Sequence, residues 1–77
     1  MNLIICVYRD ILEKHDEDDN LEWISVPYDV MKYYFETQKI LQGKYSSFED
    51  FIASYTADDT IDLVDYMYEN NVLIRRV

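Results

Sequence analysis

The sequence predicts one α+β domain: a small antiparallel sheet, made of two N-terminal strands as a hairpin plus a C-terminal strand, with two or three helices packed on one face. Three observations carry this. Two runs of strand composition flank a polar tract near the amino end, three stretches of helical spacing follow, and a third β-favouring run closes the chain. At 77 residues only a single domain, 1–77, fits, and such a chain buries only about 60% of the surface it exposes when unfolded. With 49% hydrophobic and 16% aromatic residues, 8 of them Tyr, it carries enough apolar material to fold.

The first strand is the apolar run Leu3-Ile4-Ile5-Cys6-Val7-Tyr8, which suits a strand covered on both faces or central to a sheet. Its alternation extends through Arg9, Ile11 and Leu12. His15-Asp16-Glu17-Asp18-Asp19-Asn20 is polar and aperiodic, and Leu21-Glu22-Trp23-Ile24-Ser25-Val26 again has strand composition, so the two runs read as a hairpin with an acidic tip. Pro27 suits a first helical turn, which has no use for its missing N–H.

From Tyr28 to Leu41, the residues Val30, Met31, Tyr34, Phe35, Gln38 and Leu41 share one helical side, with Lys32, Glu36 and Lys39 on the other. Gly43 reads as the stop signal. Ser46 and Glu49 have capping-box spacing, opening a short helix whose apolar face is Phe48, Phe51, Ile52 and Tyr55. A third helix is expected from about Ala57 to Asn70, capped by Thr56 and terminated at Asn70 and Asn71. Val72 to Val77 supplies the last strand.

Chemistry of other kinds finds little support. Cys6 is the one cysteine, so no internal disulfide forms, which favours a reducing interior; in so apolar a run it reads as an inert core thiol. His15 is the one histidine, and the one glycine cannot build a phosphate-cradling loop. Asp16, Asp18 and Asn20 match the first ligands of a calcium loop, but Leu21 stands where glycine is needed and Pro27 where a bidentate Glu belongs. The expectation is a protein that is not an enzyme and takes no cofactor or metal. With no apolar run near 20 residues and no signal-peptide pattern, it reads as soluble and unexported.

Charge is the informative feature. The formal net charge is −9, from 16 Asp plus Glu against 7 Lys plus Arg. That argues against direct binding to nucleic acid or to an anionic membrane. The acid lies in two blocks: residues 10–22 sum to −6, and residues 49–69 hold seven acids and no base. On a continuous third helix, Asp58, Asp62, Asp65 and Glu69 fall within about 60° of arc, in a row roughly 16 Å long. Tyr66 flanks that row close to Asp59. Ala57, Ile61, Val64, Met67 and Tyr68 form the opposite face. Like charges at i,i+4 cost a helix a few tenths of a kcal/mol per pair, and no base on this helix offsets them.

A row of carboxylates edged by aromatic rings imitates a nucleic-acid backbone with stackable bases beside it, and a groove built to track phosphates would accept it. In size, acidity and the array Asp58, Asp62, Asp65 and Glu69, the chain resembles the small acidic DNA-mimic inhibitors of bacteriophages, the anti-CRISPR, anti-restriction and uracil-DNA glycosylase inhibitor class. The resemblance implies a cytoplasmic protein of the infected host cell. It would evade host defence by occupying a basic groove of a nuclease, with a Cas9-type effector favoured. Contact would run through Asp58, Asp59, Asp62, Asp65, Glu69 and Tyr66, helped by the tip acids Asp16, Glu17, Asp18 and Asp19. The plain alternative is a solvated helix face.

A second reading is a non-mimic interaction module, antitoxin-like or regulatory, that docks or forms a homodimer through Tyr and Trp surfaces. Trp23 is a candidate anchor, and Tyr33 and Ile40, both off the main face of the first helix, are candidate dimer contacts. The basic pair Arg75-Arg76, with Arg9 beside it if the first and last strands are neighbours, reads either as edge protection or as a contact to the acids of a second copy.

Overall fold

The computed structural model describes residues 1–13 and 20–77 and shows the expected α+β architecture. The acidic tip lies outside the described residues, so Asp16, Glu17, Asp18 and Asp19 have no structural assignment. Strand β1 (Asn2–Tyr8) pairs antiparallel with β2 (Leu21–Pro27) from Asn2 opposite Pro27 to Tyr8 opposite Leu21. A two-residue strand β3 (Arg75–Arg76) pairs with the other edge of β2, antiparallel, through Ile24 and Ser25. The central strand is therefore β2, and β1 is an edge. The first and last strands are not neighbours, yet Glu13 brings their bases together, lying 3.9 Å from Arg9 and 3.6 Å from Arg76.

Cross-strand partners share a face, so Ile5, Val7, Ile24 and Val26 form the buried floor of the core. Above it pack Met31, Tyr34 and Phe35 from α2 (Tyr28–Thr37), Leu41 from α3 (Lys39–Lys44), Phe48 and Phe51 from α4 (Phe48–Ser54), and Leu63 and Met67 from α5 (Leu63–Glu69). Phe35 and Phe51 stack at 5.1 Å between ring centres. The other sheet face carries Ile4, Leu21 and Trp23, each about half exposed.

Local segments depart from the sequence reading in several places, and the last strand is only Arg75–Arg76 rather than the expected Val72 to Val77. Beyond Tyr8 the chain leaves the sheet as the helix α1 (Arg9–Glu13) rather than extending the strand. Arg9 N–H closes the ladder on Asn20 C=O at 2.9 Å, and Arg9 and Glu13 pair at i,i+4. The expected Tyr28–Leu41 helix is broken at Gln38, which is extended at φ −104°, ψ 94°. Thr37 Oγ1 bonds back to Tyr34 C=O at 2.8 Å, an alternative to the helical ladder. The carbonyls of Phe35 and Glu36 accept instead from the Gln42 side-chain amide. Beyond the break, Leu41 of α3 still enters the core.

Gly43 is not the terminator. It sits exposed inside α3, which ends at Tyr45 in extended backbone. The cap of α4 is Ser47, whose Oγ accepts from Asp50 N–H at 3.1 Å, so the Ser46–Glu49 box shifts by one residue. Ser46 instead donates to the Asp50 carboxylate.

The third helix is the largest departure. Thr56 caps a 3-10 turn, Ala57–Thr60, which passes through Ile61 and Asp62 before α5 begins. A 3-10 segment turns about 120° per residue rather than 100°, and this resets the phase. Thr60 and Leu63 go inside, while Ile61 and Tyr68, expected on the buried face, are about half exposed. The asparagine terminators are as expected. Asn71 takes the left-handed conformation at φ 58°, and the N–H groups of Asn71 and Val72 bond to Tyr68 and Met67 carbonyls in a Schellman motif.

Candidate functional site

Resetting the phase breaks the straight 16 Å row but keeps its members at the surface. Asp58, Asp62, Asp65 and Glu69 are all exposed, distributed over the 3-10 turn, its exit and α5. None has an ion-pair partner among the described residues. Asp58 accepts one hydrogen bond, from the Tyr8 hydroxyl at 2.7 Å. Glu69 lies in the last turn of α5, which holds no base; a carboxylate there opposes the helix dipole.

Asp59 behaves differently from its neighbour. It is 8% exposed, and its carboxylate accepts from Lys44 Nζ at 2.9 Å, Tyr45 OH at 2.5 Å and Thr56 N–H at 3.0 Å. Burial pushes this carboxyl up, and the three hydrogen bonds outweigh burial, so it titrates below its ordinary value. The hydrogen bond and the charge of Asp59 raise the Lys44 ammonium. Asp59 therefore holds α3 to the 3-10 turn and leaves the exposed acidic set, contrary to its place in the expected contact surface.

Asp58 and Asp62 open onto a notch of about 120 Å³ between the α2–α3 break and the 3-10 turn, shared with Tyr34, Gln38, Ile40 and Ile61. Ile40 is 84% exposed. The notch thus offers two carboxylates beside two aliphatic side chains, a combination that suits the apolar stem and charged head of an Arg or Lys. Beneath it, the buried Tyr34 hydroxyl donates to Asp59 C=O at 2.9 Å. Burial, then the Asp62 charge, pushes that phenol well above its ordinary value. Tyr66 is half-buried and packs against Tyr34 with ring centres 5.7 Å apart and planes at 61°.

Ile61 escaped the sequence reading because only a change of helix type turns it outward. Ile40 and Tyr33, singled out as off the main helical face, are indeed exposed, as is Trp23. The Cys6 thiol is buried, and burial raises its pKa, which keeps it protonated and inert. Among the described residues, no group of three or more His, Cys, Asp or Glu is placed to hold a metal ion, and no helix is long and apolar enough to cross a membrane.

Fold and surface together define a small α+β protein in which Asp58, Asp62, Asp65 and Glu69 are exposed with no ion-pair partner among the described residues. No protein-family model matches the chain, and no curated protein or solved structure matches it.

Proposed function

We propose that this protein is an acidic DNA mimic that occupies a basic nucleic-acid-binding groove of a host defence nuclease, with a Cas9-type effector as the favoured target, acting in the host cytoplasm without catalysis. The observation that carries the reading is that Asp58, Asp62, Asp65 and Glu69 are all exposed and without a described cationic partner. A stability-driven surface would intersperse Lys or Arg at i,i+4, worth a few tenths of a kcal/mol per pair, whereas here charge repulsion is kept and, at Glu69, an unfavourable dipole as well. A groove lined with Lys and Arg would relieve both.

The test is displacement of fluorescent duplex DNA from a guide-loaded Cas9-type effector across a salt series. Displacement should weaken steeply as salt rises and be lost in Asp62→Lys/Asp65→Lys, with circular dichroism confirming the fold. Undiminished displacement by that double variant would sink the proposal.

The second reading, an interaction module that docks or dimerises through aromatic surfaces, draws support from the half-exposed Ile4, Leu21 and Trp23 on the outer sheet face. It predicts weak salt dependence and loss of partner binding in Trp23→Ala.

A further inference from the structure

We infer that the open edge of β1 and the groove beside it take up an extended peptide of a partner protein by strand addition, with one large apolar side chain seated in the groove and a Lys or Arg two residues away against Glu49. This surface is independent of the acidic face. It starts from the register of β1. Met1 C=O accepts from Tyr28 N–H and Arg9 N–H donates to Asn20 C=O, the two residues that flank β2, so residues 1, 3, 5, 7 and 9 turn their main chain towards β2, and the even-numbered residues turn theirs to the open side.

At Cys6 that side is sealed: its N–H donates to Tyr55 OH at 2.8 Å, and its C=O accepts from Thr60 Oγ1 at 2.9 Å. At Asn2 and Ile4, nothing among the described residues bonds the outward groups, and Ile4 is 52% exposed. A sheet edge of this kind is a template for another strand. The seal at Cys6 limits its length to the first half of β1.

Next to this edge lies a cavity of about 220 Å³ lined by Leu3, Tyr28, Phe48, Glu49, Ile52 and Ala53. An apolar cavity of about 150 Å³ holds a benzene ring, so this one has room for a Leu or Phe side chain. Leu3 lies on the core face of β1, so the added residue opposite Leu3 points its side chain to that same face, into the cavity. Residues two places away share that face, which brings their side chains to the rim. The rim charge is Glu49, exposed and without an ion-pair partner among the described residues, followed by Asp50. A second copy of this chain is disfavoured as occupant, because it would bring its own Glu49 and a further charge of −9.

The probe is the blocked pentapeptide Lys-Thr-Leu-Thr-Lys, titrated into the full chain labelled with nitrogen-15. Saturable shifts are expected at the amides of residues 2–4, 52 and 53, together with slowed hydrogen exchange at the Ile4 amide, which a merely apolar contact would not produce. Ala53→Trp, at an exposed helix position, should fill the groove and remove saturation. Glu49→Lys should weaken this peptide by about two- to fivefold and improve its Glu-flanked counterpart by a similar factor. The inference is overturned by shifts that do not saturate, by unchanged Ile4 exchange, or by β1 shifts that depend on protein concentration without peptide. The Asp62→Lys/Asp65→Lys variant should bind the peptide normally, so failure of the DNA-mimic reading leaves this one standing.

Discussion

Asp58 and Asp59 are adjacent, both carboxylates in the first turn of the same segment, and they have opposite fates. Asp58 faces solvent with a single tyrosine hydroxyl against it. Asp59 is buried beneath three donors drawn from α3, Tyr45 and the cap residue Thr56. What separates them is helical phase. A carboxylate turned inward must be satisfied in full and becomes part of the scaffold, while its neighbour turned outward is left available to a partner. The acidic face is therefore smaller than the acid count of its segment, and the rest of that acid works for stability.

The difference is most exposed to attack at Asp59. Asp59→Ala strands the Tyr45 and Thr56 donors and should cost about 2–3 kcal/mol in urea unfolding; a loss below about 0.5 kcal/mol would mean that Asp59 is as dispensable as its neighbour. Its pH signature has a definite sign. The folded-state pKa of Asp59 lies below its ordinary 3.8, so its stabilisation is present above that value and is lost as pH falls through the folded-state pKa. The urea midpoint should drop below about pH 4, and Asp59→Asn should remove part of that drop.

Thr60→Val tests the clamp between the 3-10 turn and β1. It leaves Cys6 C=O without its donor and should cost about 1–2 kcal/mol. On the outward side the sign reverses. Glu69→Lys, removing a carboxylate from the C-terminal turn of α5, should stabilise by about 0.3–1 kcal/mol while weakening binding to a basic groove. Asp62→Asn should lie within about 0.5 kcal/mol of the parent, and a larger loss would place Asp62 with Asp59 in the scaffold.

Much of the fold was legible because it depends on neighbours in sequence. The two N-terminal runs announced β1 and β2, the periodic Met31, Tyr34 and Phe35 announced the buried face of α2, and Asn70-Asn71 announced the end of α5. The breaks were not legible. Gln38 looks ordinary in a helical pattern and Gly43 reads as a stop, yet the chain breaks at the first and continues through the second. Side-chain bonds from Thr37 and Gln42 replace the ladder at one, and Tyr45 is drawn to Asp59 just beyond the other. At the candidate site, the exposure of Asp58, Asp62, Asp65 and Glu69 followed from spacing. The burial of Asp59, the outward turn of Ile61 and the notch they border did not, because a 3-10 turn and an α-helix of the same residues differ by only about 20° per residue.

By itself the sequence determined the class of fold, the pairing of its first two strands and the concentration of unneutralised acid in residues 49–69, since composition and short-range periodicity suffice for these. Tertiary structure alone decided that Asp59 leaves the exposed set and where β1 remains open. The deciding contacts join residues far apart in the chain, Lys44 to Asp59, Cys6 to Tyr55 and Cys6 to Thr60. Each satisfies a buried or edge polar group whose need for a partner arises only once the core has closed over it.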